Sequence, residues 1–208
     1  MTTQDVPTPL GPARVHRSEP DGDVRGTLLL GHGAGAGSDT ADLLAVADAA
    51  CAAGWAVLRV DQPWVVAGRR IAPAPARLDE GWTAVLTHLR DEGRLPGPVV
   101  VGGRSAGARV ACRTATALGA AGVLALAFPL HPPGRPEKSR AAELQQVDVP
   151  LLVVQGQTDA FGRPAELETA LAGHAGQVRA VAGDHGLRKD TGAVAAAVVA
   201  WLPTVLTA

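Results

Sequence analysis

The chain has 208 residues, 19 of them basic and 20 acidic, a net charge of −1, and two cysteines. That length suits one domain with a sizeable core. The balanced charge, with no basic run, argues against nucleic-acid or membrane-surface binding as the main activity. Cys51 and Cys112 lie in alanine-rich, helix-like segments, which suit buried thiols in a reducing compartment better than a disulfide framework. The N-terminus lacks the pattern of a signal peptide, and no run of about 18 apolar residues reads as a membrane span. A cytoplasmic monomer or homodimer acting on small molecules is expected, with no nucleic-acid or membrane partner.

Residues 1–12, rich in Pro and Thr, read as a flexible tail, and residues 13–208 as a single domain. Ala13–Arg17 suits an edge strand, and Gly26–Leu30, apolar and bounded by glycines, an interior one. The loop Gly31-His-Gly-Ala-Gly-Ala-Gly37 leads to a helix that Ser38 or Asp39 would cap and Gly54 would end. Trp55–Val60 is a strand closed by Asp61-Gln-Pro63, and a Pro- and Arg-rich loop covers 65–77. Leu78, Trp82, Val85 and Leu89 recur at helical spacing.

Val99-Val-Val then runs into Gly103-Arg-Ser-Ala-Gly107 and a helix-forming segment. Strands are expected at 122–128, 150–155 and 178–181, with helices at 164–172 and 191–205. Strands apolar on both faces, alternating with helices, indicate an α/β fold: a doubly wound, mostly parallel sheet of six or seven strands.

A serine between two glycines at a strand-to-helix turn has the form of a nucleophile elbow. The alternative is an ordinary glycine-rich βα turn. If Ser105 is a nucleophile it needs a base, and the base an orienting acid, because a serine hydroxyl does not attack a carbonyl unaided. In this architecture the acid and then the histidine follow the serine, each in a loop past the C-terminal end of a strand. Asp159 follows the strand ending at Gln155, and His185 follows the strand ending at Val181. Of the other histidines, His16, His88 and His174 fall at polar positions. His131 precedes the acid in sequence but could face the pocket. Asp184, adjacent to His185, is poorly placed for end-on contact with the imidazole.

The oxyanion of such a site would meet the backbone N–H of Ala106 and a second N–H from the loop after the strand 26–30. Ala34 is the first choice there and Gly33 the alternative. His32 would hold that loop in shape. Trp64 either walls the pocket or packs in the core. Arg104 either attracts an anionic acyl group or braces loops. Only about twenty residues separate Phe128 from Pro150, too few for a lid domain, so an open, shallow site is expected. No metal-ligand spacing appears, and nothing calls for a cofactor.

Gly31-His-Gly-Ala-Gly35, Gly103-Arg-Ser-Ala-Gly107, Asp159 and Gly183-Asp-His185 together resemble the α/β-hydrolase superfamily. The fuller strings Gly102-Gly-Arg-Ser-Ala-Gly-Ala-Arg109 and Leu130-His-Pro-Pro-Gly-Arg-Pro-Glu-Lys138 resemble one branch of it. Its members are small proteins related to dienelactone hydrolases, among them a testis-expressed protein and a chromatin-complex subunit. The resemblance spans residues 26–205 and implies the fold and a Ser105–Asp159–His185 triad. Dienelactone hydrolases carry cysteine where this chain has Ser105, so lactone cleavage does not carry over. The function expected is a serine hydrolase of small esters, thioesters or lactones, working through an acyl-enzyme on Ser105.

Two rival readings stand beside it. One is a non-catalytic interaction module on the same fold. The other is a dinucleotide-binding oxidoreductase, since Gly31-His-Gly-Ala-Gly-Ala36 satisfies G-x-G-x-x-A after a strand and Asp61 ends the next strand.

Overall fold

The computed structural model describes residues 1–207. One eight-stranded sheet crosses the molecule: β1 (Thr2–Val6), β2 (Ala13–Ser18), β3 (Gly26–Gly31), β4 (Trp55–Asp61), β5 (Val99–Arg104), β6 (Gly122–Leu126), β7 (Leu151–Gly156) and β8 (Gln177–Val181). Their spatial order is β1-β2-β4-β3-β5-β6-β7-β8. β1 pairs antiparallel with β2, and β2 with β4, while every pairing from β4 to β8 is parallel.

The central strands are apolar on both faces because both are covered. In β3, Leu28 and Leu30 join one core and Leu29 the other; in β5, Val100 faces one side while Val99 and Val101 face the opposite. This is the two-residue alternation of a pleated strand applied to a sheet with no wet face. On one face pack α1 (Ala41–Ala52) and α7 (Thr191–Trp201), on the other α3 (Pro75–Asp91) and α4 (Ala106–Thr114). Trp82 of α3 is 1% exposed, and Leu86 and Leu89 are equally enclosed. Each such side chain stabilises the fold by about 1.5–3 kcal/mol through loss of contact with water.

Residues 1–12 are not a loose tail, and β1 makes the sheet one strand wider than expected. The sequence hides this strand because Thr2-Thr-Gln-Asp5 has no apolar alternation, and only Val6 reaches the core. What holds it is backbone pairing to β2 and the cross-strand Asp5–Arg14 ion pair at 2.8 Å. α2 (Pro63–Val66) occupies the start of the loop expected at 65–77, with Pro63 at its first position. Between β6 and β7 lie only a 3₁₀ turn (Pro136–Lys138) and the five-residue α5 (Ala141–Gln145), so the fold has no lid domain. α6 (Pro164–Ala170) joins β7 to β8. Cys51 and Cys112 are free thiols, Cys112 fully enclosed. No helix among the described residues is long and apolar enough to cross a membrane.

Candidate active site

Parallel strands deliver their C-terminal ends to one edge of the sheet, and the loops there carry the polar groups. β5 ends at Arg104 and α4 begins at Ala106, leaving Ser105 alone to make the turn. Its backbone takes φ 53° and ψ −107°. A residue with a Cβ in that conformation carries about 1–3 kcal/mol of strain, which the packed strand and helix on either side must hold. The flanking glycines permit the turn. A Cβ on Gly103 would lie 2.4 Å from the Gly31 carbonyl oxygen, and one on Gly107 2.6 Å from the same group. Strand β3 therefore presses directly against the elbow.

Asp159 sits in the turn after β7 and His185 in the turn after β8, as the spacing predicted. Ser105 Oγ lies 2.9 Å from His185 Nε2, and His185 Nδ1 lies 2.8 Å from Asp159 Oδ2. A carboxylate only accepts, so Nδ1 carries the proton and Nε2 is left to accept from the serine hydroxyl. Asp159 is 1% exposed. Its Oδ1 accepts the Phe161 N–H at 2.8 Å, and its Oδ2 also accepts from Gln155 Nε2 at 2.8 Å. Asp184 is turned to its own loop, where its Oδ1 accepts the Gly186 N–H.

Phe161 and Gln155 were not foreseen. The Phe161 ring lies against the His185 imidazole, centroids 4.3 Å apart. Gln155 is a fully buried amide at the end of an otherwise apolar strand. That contrast, four residues before Asp159, was the available signal.

The loop after β3 approaches the elbow from the other side. The N–H groups of Gly33 and Ala34 have no acceptor among the described residues, and that of Ala106, opening α4, has none inside its helix. His32 is 4% exposed and bridges two segments: Nδ1 faces the Gly33 carbonyl at 2.8 Å, and Nε2 accepts the Gln62 N–H at 3.1 Å. Burial holds this imidazole below the ordinary histidine range, so it is neutral in the fold. The folded protein thus takes up this proton less readily than the unfolded chain. The resulting stability is complete above about pH 6.5 and is lost as pH falls toward the lower folded value. The unfolding midpoint of wild type should therefore drop more steeply between about pH 7 and 5 than that of His32→Gln. Parallel curves would contradict this.

Trp64 is 7% exposed, tilted against His32 at 5.4 Å, and with Leu78, Ala106 and Val110 it lines a narrow cleft beside the elbow. It is core and wall at once. Both ring nitrogens of His131 are engaged outside the triad: Nε2 pairs with Glu166 at 3.0 Å, and Nδ1 faces the Pro132 carbonyl. The Pro132 carbonyl, and after it Glu166, hold its pKa above the ordinary value. Arg104 is a brace, its Nε 3.1 Å from the Asp42 carboxylate and its Nη2 donating to the His185 carbonyl at 2.9 Å. With that charge matched inside the protein, it is not free to attract an acyl anion.

On the other flank of His185, a cavity of about 380 Å³ is lined by Thr158, Ala160, Phe161, Asp184 and Arg188. Two larger cavities, of about 810 and 580 Å³, border Gly54 and Leu151, where β4 and β7 begin. That is the opposite edge of the sheet from the polar cluster.

Residues 24–200 match the family model described as an alpha/beta hydrolase domain. The chain belongs to that family. Among solved structures, the hydrolase is similar to an alpha-beta serine hydrolase homologue from Coxiella burnetii at 18% identity and a TM-score of 0.81, covering 96% of each chain. It is also similar to a lidless a/b serine hydrolase from Xanthomonas campestris (23% identity, TM-score 0.74, 97% of this chain and 95% of that one). A third likeness is to a dienelactone hydrolase from Anabaena variabilis (20% identity, TM-score 0.72, 98% and 96% covered). At these identities the likeness is one of fold. Among curated proteins none matches.

The dinucleotide reading is overturned by the same loops. α1 begins at Ala41, ten residues beyond Gly31, so the glycines do not open a helix that could receive a pyrophosphate. The Asp61 carboxylate is occupied by the Ser38 N–H at 2.6 Å and by His16 at 3.0 Å, and is not offered to a ribose.

Proposed function

We propose that this hydrolase is a serine esterase of small, exposed substrates: carboxylic esters, and with them thioesters or lactones. The observation that carries the reading is the unbroken chain from Ser105 Oγ through the His185 imidazole to the buried Asp159 carboxylate, at 2.9 and 2.8 Å. Ser105 attacks the acyl carbon as His185 Nε2 takes its proton, and Asp159 holds the imidazole in the accepting tautomer and balances its positive charge. The N–H of Ala106, with that of Ala34 or Gly33, receives the developing oxyanion. Each such donor is worth around 3 kcal/mol of transition-state stabilisation. His185 then protonates the leaving alcohol or thiol, and water, activated by the same base, releases the acid from the acyl-enzyme.

The elbow string and the Leu130–Lys138 string resemble those of small dienelactone-hydrolase-like proteins, among them a testis-expressed protein and a chromatin-complex subunit, and this resemblance supports the reading. The serine at position 105, where dienelactone hydrolases carry cysteine, favours ester cleavage. The balanced charge suits a cytoplasmic enzyme, monomeric or homodimeric, acting on dissolved acyl compounds.

A series of p-nitrophenyl esters tests the reading. Without a lid to bury a long chain, acetate and butyrate should turn over faster than octanoate. No turnover of any ester would leave the non-catalytic module standing.

A further inference from the structure

The sequence leaves Arg104 open to two readings, substrate group or brace, and its guanidinium reaches three separate segments. Nε pairs with Asp42 of α1 at 3.1 Å, and Nη2 donates to the His185 carbonyl at 2.9 Å. Nη1 fills the space beside Gly33, 2.9 Å from where a Cβ on that residue would stand. Asp42 is 1% exposed and lies in the first turn of α1; neither of its carboxylate oxygens accepts a hydrogen bond, and the Arg104 cation meets it by charge alone. A carboxylate so enclosed is sustained by its cation and by the positive end of its helix, and it fixes that cation in turn.

We infer that Arg104, anchored by Asp42, is a positioning residue that locks the His185 loop and the Gly33 loop to the nucleophile elbow. This rests on the proposed roles of Ser105 and His185. The need for such a clamp is physical. Nucleophile, base and oxyanion donors come from three different loops, and a misplacement of about 1 Å between reacting groups can cost about 100-fold in rate. The planar fork of arginine serves three directions at once, whereas a lysine ammonium on the same stem meets Asp42 as a point charge and leaves the His185 carbonyl unheld.

The test compares R104K and the apolar pair D42L/R104M with wild type. R104K keeps the charge on Asp42. The double variant removes both buried charges together, so neither leaves an unpaired carboxylate to unfold the chain. On p-nitrophenyl acetate both should lose about 10- to 100-fold in kcat with KM within about twofold. Amide hydrogen exchange across residues 182–187 should quicken while the unfolding midpoint of R104K stays near that of wild type. A kcat within twofold of wild type overturns the inference, and so does a fall in kcat with unchanged exchange in that segment. If wild type itself turns over no ester, the esterase reading has failed, and the exchange measurement alone decides whether Arg104 clamps the loop.

Discussion

Ser105→Ala should lower kcat for p-nitrophenyl acetate by at least about 10⁴-fold and leave the unfolding transition cooperative and near its wild-type midpoint. The hydroxyl is the only group removed. Its bond is to the part-buried His185 imidazole, 20% exposed, where water can take the place of the lost hydroxyl. Alanine keeps the Cβ and with it the strain of φ 53°. Ser105→Gly should be equally inactive but more stable than Ser105→Ala, by about 1 kcal/mol, because glycine accepts that backbone without a clash. Residual turnover above a few per cent in either variant, or an Ala variant more stable than Gly, would contradict the elbow as the source of both activity and strain.

Asp159→Asn should cost about 10³- to 10⁴-fold in kcat, with a smaller effect on KM. The carboxylate accepts at both ends: from the Phe161 N–H at Oδ1, and from His185 and Gln155 at Oδ2. An amide must set its NH₂ against donors at one end or the other. In one orientation His185 loses the acceptor that keeps its proton on Nδ1, and the tautomer reverses. In the other, Phe161 N–H is orphaned and the neutral amide no longer balances the imidazolium. The enclosed site gives no water to relieve either, so stability should also fall by about 1–3 kcal/mol. An Asn variant with wild-type kcat would show that His185 needs no orienting acid.

Most of the sheet was legible because its strands are enclosed on both faces and read as short apolar runs between glycines. β1 was not, because an edge strand held by backbone pairing and the Asp5–Arg14 pair needs no apolar alternation of its own. Asp159 and His185 could be found because their position after strands, in a fixed order behind the elbow, is a property of sequence. Asp42 could not. It lies some sixty residues before Arg104 in a helix of alanines and leucines, and nothing in that spacing announces an ion pair. Arg104 was seen as a residue beside the nucleophile, but its choice between substrate and loops is made by partners that only folding brings near. The start of α1 differs for a like reason: Ser38, which has the side chain of a cap, gives its N–H to Asp61, and the helix opens after Thr40.

The account turns on Ser105 as the group that becomes acylated. Incubation with a fluorophosphonate, followed by intact mass and peptide mapping, reads that directly. The account predicts one adduct per chain, on the peptide containing Ser105, absent from Ser105→Ala and formed far more slowly in Asp159→Asn. No adduct on folded wild-type protein, or an adduct mapped to another residue, would contradict it.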